Sequence, residues 1–170
     1  MRFIVFTLPV EIDGEPQLIE TLVDCGVYRV HIRKPSWTEE EIAKLIYKID
    51  PRCRDRLVVH GHHSPQSCHT LEEVEKRKKL YDYVFLSPIF DSISKQGYRS
   101  AFTKDILTEA RDNGIIDEKV VALGGVALEH LSLLRQLGFG GAAFLGDVWQ
   151  YSNNHRLFVS HANELRKAML

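Results

Sequence analysis

Val120-Val121-Ala122-Leu123-Gly124-Gly125-Val126 and, one unit later, Gly140-Gly141-Ala142-Ala143-Phe144-Leu145-Gly146 decide how this chain is read. Each is a short apolar run that ends in glycine and leads toward a helical pattern. Each therefore predicts a buried strand whose end exposes bare backbone N–H groups where a helix begins. Such groups, reinforced by the helix macrodipole, favour anions. In an eight-stranded parallel α/β barrel the loops after strands seven and eight, with a helix N-terminus, form a recurrent phosphate site. A plainer account also fits, in which two core strands use their glycines only for tight turns.

Outward from these runs, β and α patterns alternate along the whole chain. Strands are expected at 3–8, 28–32, 57–60, 83–87, 120–123 and 141–145, with a short one at 66–68. The helix opened by Pro16 carries Leu18, Ile19 and Leu22 on one face and stops at Gly26. Ser36 and Glu39 form a capping box for a helix with Ile42, Leu45, Ile46 and Ile49 at i, i+3, i+4 and i+7. Thr70 and Glu73 form another, followed by the charge run Glu72 to Lys79, read as a solvated face. Further helices are expected at 103–113, 128–137 and 154–169.

Repeated βα units imply a parallel sheet with right-handed crossovers, closed into a barrel or open and doubly wound. The paired glycine loops favour a single-domain (β/α)8 barrel spanning 1–170. One place breaks the rhythm: only six residues separate His60 from Ser67, whereas a parallel crossover takes a dozen or more. Such barrels need about 200 residues, so one βα unit of roughly thirty residues is expected to be absent, or not to show, near 61–66.

With 170 residues, 44% of them hydrophobic, the chain can bury one full core. A net charge of −1 gives no reason to expect nucleic acid or an anionic membrane as partner. Cys25, Cys53 and Cys68 form no C-x-x-C pair, which argues against a disulfide framework or zinc ribbon and fits a reducing cytoplasm. Phe3 to Leu8 lacks a signal-peptide cleavage site after it and reads as a buried first strand. The oligomeric state, a homo-oligomer included, stays open.

Ser67-Cys68-His69-Thr70-Leu71-Glu72-Glu73, then Asp82 to Lys95 with Ser87-Pro88-Ile89-Phe90-Asp91-Ser92-Ile93-Ser94-Lys95, then Ala122-Leu123-Gly124-Gly125-Val126 resemble successive signature blocks of the thiamine phosphate synthases and their thiazole tautomerase relatives. The resemblance implies a (β/α)8 barrel enzyme of thiamine biosynthesis that takes small phosphorylated substrates, a pyrimidine diphosphate and a thiazole phosphate. It implies that Arg33 holds the diphosphate, with Lys34 one position early relative to the family's lysine. Ser92, Ser94 and Lys95 would grip the same group, and Ser67 would serve similarly. Gly124, Gly125, Leu145 and Gly146 would bind the thiazole phosphate, Gly146 standing where a serine is usual. Arg33 and Lys95 would stabilise charge on the leaving diphosphate.

The family also implies Mg²⁺, an ion that prefers carboxylate and water oxygens. Here the strand-three Asn-Asp element is His60-Gly61, and no metal ligands are identifiable. A tautomerase needs only an acid/base beside a bound thiazole phosphate, which His69 could supply near neutral pH. The expectations are thus a synthase first, a tautomerase second, and third a protein that binds the precursor without catalysis. His60, His62, His63, Cys68 and His69 match no common zinc spacing. Trp37 reads as a packing residue, and Trp149 and Tyr151 as core or as a cover for the phosphate loop.

Overall fold

The computed structural model describes residues 1–61, 64–91 and 102–170. Its strands are β1 (Arg2–Phe6), β2 (Arg29–Ile32), β3 (Leu57–Val59), β4 (Ser67–Cys68), β5 (Val84–Leu86), β6 (Val120–Ala122) and β7 (Gly141–Phe144). The helices are α1 (Glu15–Asp24), α2 (Glu39–Lys48), α3 (Leu71–Arg77), α4 (Lys104–Asp112), α5 (Leu131–Gln136), α6 (Gly146–Trp149) and α7 (His155–Ala168), with 3-10 turns at Pro51–Arg56 and Leu128–His130. The strands expected from sequence all form, each within a residue or two of its expected ends. The short α6 was not foreseen.

The cap of α2 lies two residues later than expected. Thr38 Oγ1 accepts from Glu41 N at 3.3 Å and Glu41 Oε2 accepts from Thr38 N at 2.7 Å. Ser36 is instead inside the turn in which Trp37 N donates to Lys34 O. The charge run around α3 is not uniformly solvated either. Lys78 Nζ donates to Gly114 O, Ile115 O and Asp117 Oδ2, tying the end of α3 to the loop before β6.

All pairings are parallel, in the order β3-β2-β1-β7-β6-β5-β4. Apart from the step from β3 to β4, which spans the two ends, every step from one strand to the next runs in the same direction across this order. With right-handed crossovers, that puts the helices on one face. The first and last strands are neighbours, so the sheet curls toward a barrel, and its two ends among the described residues are β3 and β4. The sheet is thus a curled parallel sheet of seven strands among the described residues, with the expected missing unit falling between β3 and β4. The break falls where the sequence leaves too few residues for a βα unit.

Strand residues alternate between two cores, as the pleat requires. Phe3, Val5, Val30, Ile32, Val84, Leu86, Val120, Ala122, Ala142 and Phe144 pack toward the helices, while Ile4, Phe6, Tyr83, Phe85, Val121 and Ala143 fill the concave side. Gly140 is required by close approach, since a Cβ there would sit 1.8 Å from Glu118 O. Trp149 is core: its Nε1 donates to Phe6 O at 2.6 Å and locks α6 onto β1.

Candidate active site

Alternation carries the inward face of each strand up to the C-terminal mouth. Arg33 follows His31 at the end of β2, His60 follows β3, His69 follows Ser67 at the end of β4, Ser87 follows Phe85 after β5, and Leu123 and Leu145 follow β6 and β7. Catalytic groups gather at this end of parallel α/β barrels.

His69 is the best-defined member. Its Nδ1 lies 2.8 Å from Ser87 O. A carbonyl only accepts, so Nδ1 carries the proton and, in the neutral ring, Nε2 keeps a free lone pair. The backbone also holds this residue, because His69 N donates to Glu73 Oε2 at 2.7 Å and Thr70 Oγ1 accepts from Glu73 N. The first of these bonds holds the Glu73 carboxyl below its ordinary range.

Arg33 and Lys34, adjacent in sequence, go opposite ways. Arg33 is exposed at the mouth, and its backbone is fixed by donating to Thr7 Oγ1 at 2.9 Å. Lys34 is withheld: its Nζ donates to Glu15 Oε1 and Oε2 at 2.8 Å each and to Val10 O at 2.7 Å, and its side chain is 0% exposed. The ammonium also lies 4.9 Å from the centre of the Trp37 ring. Lys34, expected to bind substrate, is held here as a brace from β2 to Glu15 of α1 and the loop after β1.

Gly124 and Gly125 have φ of 89° and 63°. A Cβ on Gly124 would meet Pro88 at 2.9 Å, and one on Gly125 would meet Asp91 O at 2.6 Å. Ile89 N and Phe90 N donate to Leu123 O and Gly124 O, so the loop after β5 folds over this turn. The plainer reading of these glycines is thus met in full: steric need and left-handed backbone both require them. Among the described residues their own N–H groups enter no backbone hydrogen bond. Gly146 differs, because a Cβ there would meet nothing within 4 Å. It opens α6 beside Leu145, with Asp147 next. The Asp147 carboxylate is turned to His161 Nε2 at 2.7 Å, and Tyr151 packs on that histidine.

Ser67 pairs with Phe85 across β4 and β5 and faces the concave side. Its neighbour Cys68 faces the helices, fully buried, with its thiol pushed up to about 11 by that burial. Cys68 and His69 therefore do not share a site. Ser92, Ser94, Lys95, His62 and His63 lie outside the described residues.

Below the mouth sits a polar floor that sequence reasoning missed. His31 is 0% exposed, its Nε2 lies 2.7 Å from the Tyr83 hydroxyl, and its ring packs on Phe6 and Phe85. Burial, with His60 and Arg29 adding to it, drives its pKa down to about 3. His60 is lowered too, by burial and then by Arg33. The Nδ1 atoms of both rings are buried and unpartnered among the described residues.

A family model described as thiamine monophosphate synthase matches residues 65–148. The structure of a thiamine phosphate pyrophosphorylase from Bacteroides thetaiotaomicron superposes with a TM-score of 0.86 at 32% identity, over 99% of this chain and 97% of that one. The chain belongs to the thiamine phosphate synthase family. Curated thiamine-phosphate synthases of Actinobacillus pleuropneumoniae and Pasteurella multocida are 33% identical over 81 residues and 25% identical over 147. These matches cover 46% and 85% of this chain, which spans only 37% and 59% of those relatives.

Among the described residues no three His, Cys, Asp or Glu side chains converge as a metal site. His60-Gly61 stands where an Asn-Asp element is usual, Glu73 is bound to His69 N, and Asp147 to His161. No helix among the described residues is long and apolar enough to cross a membrane.

Proposed function

We propose that this protein is a thiamine phosphate synthase-type transferase, which joins hydroxymethylpyrimidine diphosphate to thiazole phosphate and releases diphosphate. The observation that carries this reading is the 32% identity to the Bacteroides pyrophosphorylase over nearly the full length of both chains. In this chemistry the methylene carbon–oxygen bond breaks with its electron pair going to the diphosphate, and the thiazole nitrogen lone pair closes on the resulting cation. Arg33, exposed at the mouth, supplies a planar fork for the growing negative charge, an interaction worth most in the transition state. Lys95 would add a point charge, and Ser67, Ser92 and Ser94 hydroxyl donors. The thiazole phosphate would rest on the N–H groups of Gly124, Gly125 and Gly146, beside Leu145. No step is assigned to a metal ion.

The fixed tautomer of His69 favours a second reading, thiazole tautomerase, in which the Nε2 lone pair moves a proton on the ring of a carboxylated thiazole phosphate. For the fold, we infer one barrel domain short of a single βα unit. Support comes from the strand order and from a Bacteroides relative matched along 97% of its own length.

The deciding experiment supplies both substrates with Mg²⁺ and follows thiamine phosphate. Product formation, lowered about 10²-fold by Arg33→Ala in kcat, supports the synthase. If no product forms but the carboxylated precursor isomerises, and His69→Ala abolishes it, the tautomerase reading stands instead. Tight thiazole phosphate binding with neither reaction identifies a non-catalytic binder.

A further inference from the structure

At the end of the sheet opposite the candidate active site, where the strands begin, arginines repeat. Arg2 is the first residue of β1, Arg29 the first of β2, and Arg56 immediately precedes β3. Arg166 of α7 joins them. Arg2, Tyr28, Arg56, Arg166 and two glycines, Gly26 and Gly140, line a cleft of about 330 Å³.

Two of these guanidiniums are held on aromatic rings. Arg2 lies over Tyr28 and Tyr83 at 5.6 and 5.9 Å and donates to Glu118 O, and Arg29 lies over Tyr28 at 4.9 Å. Gly26, with φ of 86°, leaves the room that Arg166 occupies, since a Cβ there would sit 3.0 Å from Arg166 Nε. Carboxylates are few at this end. Asp55 reaches Arg56 at 3.5 Å, Asp82 flanks Tyr83, and Glu118 gives Arg2 its carbonyl. Among the described residues Arg2, Arg29 and Arg166 enter no ion pair with any carboxylate.

A chain with a net charge of −1 thus lines one cleft with three guanidiniums, those of Arg2, Arg56 and Arg166, with Arg29 beside Tyr28, and among the described residues only Arg56 has a carboxylate partner, Asp55. Like charges so placed repel, and the tyrosine rings hold Arg2 and Arg29 in place nonetheless. Planar forks pre-positioned on rings match phosphate oxygens bidentately and lose little freedom on binding. The geometry points to a binding site for a small multivalent phosphate-class oxyanion, orthophosphate or a diphosphate group, in this cleft. Its volume is at the small end of the range for organic ligand pockets, about 300–1,000 Å³, which suits the bare anion. The site is independent of the reaction assigned above.

The test titrates the protein with inorganic diphosphate, and separately with orthophosphate, without Mg²⁺, and follows backbone amide shifts by NMR. Saturable shifts at Gly26 and Gly140 are expected, separate from any at Gly124 or Gly146. Arg56→Gln with Arg166→Gln should weaken the Gly26 and Gly140 response at least about tenfold and leave any response at Gly124 and Gly146 unchanged. Should that pair impair folding by circular dichroism, Arg166→Lys, which keeps the charge and loses the fork, is expected to weaken the same response. Absence of saturable shifts at Gly26 and Gly140 with either anion overturns the proposal. So does unchanged affinity in the folded variants.

Discussion

Along the arc from β5 through β6 and β7 to β1, every strand has a neighbour on each side, and the inward face is filled with Phe85, Val121, Ala143, Ile4 and Phe6. Toward the seam between β3 and β4 the same inward face carries His31, His60 and Ser67, two of them with buried unpartnered ring nitrogens, and Val59 is 47% exposed. The difference teaches where this fold can hold polar chemistry. A closed arc leaves no access for water, so polar side chains there would need internal partners. Toward the seam the concave side nevertheless holds His31 and His60, with ring nitrogens that are buried and unpartnered among the described residues.

The largest effect should come from the closed arc. Phe85→Ala deletes a fully buried ring from the concave core and should cost about 3–5 kcal/mol in urea unfolding. Val59→Ala at the seam should cost less than about 0.5 kcal/mol. Equal losses would erase the contrast between arc and seam.

The brace at the end of β2 tests whether burial or function governs Lys34. Lys34→Met leaves Glu15, itself only 1% exposed, without its cation, and should cost about 3–5 kcal/mol. Combining it with Glu15→Gln should recover much of that loss. Stability retained in the single variant, with substrate affinity lowered, would return Lys34 to the binding site.

His31 gives the seam a pH signature. Its folded pKa of about 3 lies below the ordinary 6.5, so the unfolded chain binds more protons between those values. Stability is then fully present above pH 6.5 and falls as pH drops toward 3, by on the order of a few kcal/mol. His31→Gln should flatten the slope of unfolding free energy between pH 6.5 and 4.

The arc was more legible in the sequence than the seam. Val120 to Gly125 and Gly140 to Gly146 announce strand ends locally, because an apolar run and a terminal glycine are read without knowing any partner. The short gap between His60 and Ser67 also gave the place where the ring breaks. His31 meeting Tyr83, Lys34 meeting Glu15 and Asp147 meeting His161 are set by which strands and helices become neighbours. No spacing rule reports such pairs. Cys68 and His69 show the converse, since the pleat sends these sequence neighbours to opposite faces of the sheet.

The glycine loops divide the remaining effects. Gly125→Ala puts a Cβ into left-handed backbone, 2.6 Å from Asp91 O, and should cost about 1–3 kcal/mol. Gly125→Val should in addition weaken thiazole phosphate binding at least about tenfold, or 1.4 kcal/mol, as calorimetry would record.

Gly146→Ser should be the mildest change. A Cβ there meets no atom within 4 Å, and the position opens α6, where a serine hydroxyl is readily accommodated. Stability should stay within about 0.5 kcal/mol. The added hydroxyl would stand beside the N–H groups that the thiazole phosphate is proposed to use, so it can only add a donor to that anion. Tighter thiazole phosphate binding at unchanged stability would locate the phosphate over Gly146. Unchanged binding would move it away from α6, toward Gly124 and Gly125 alone.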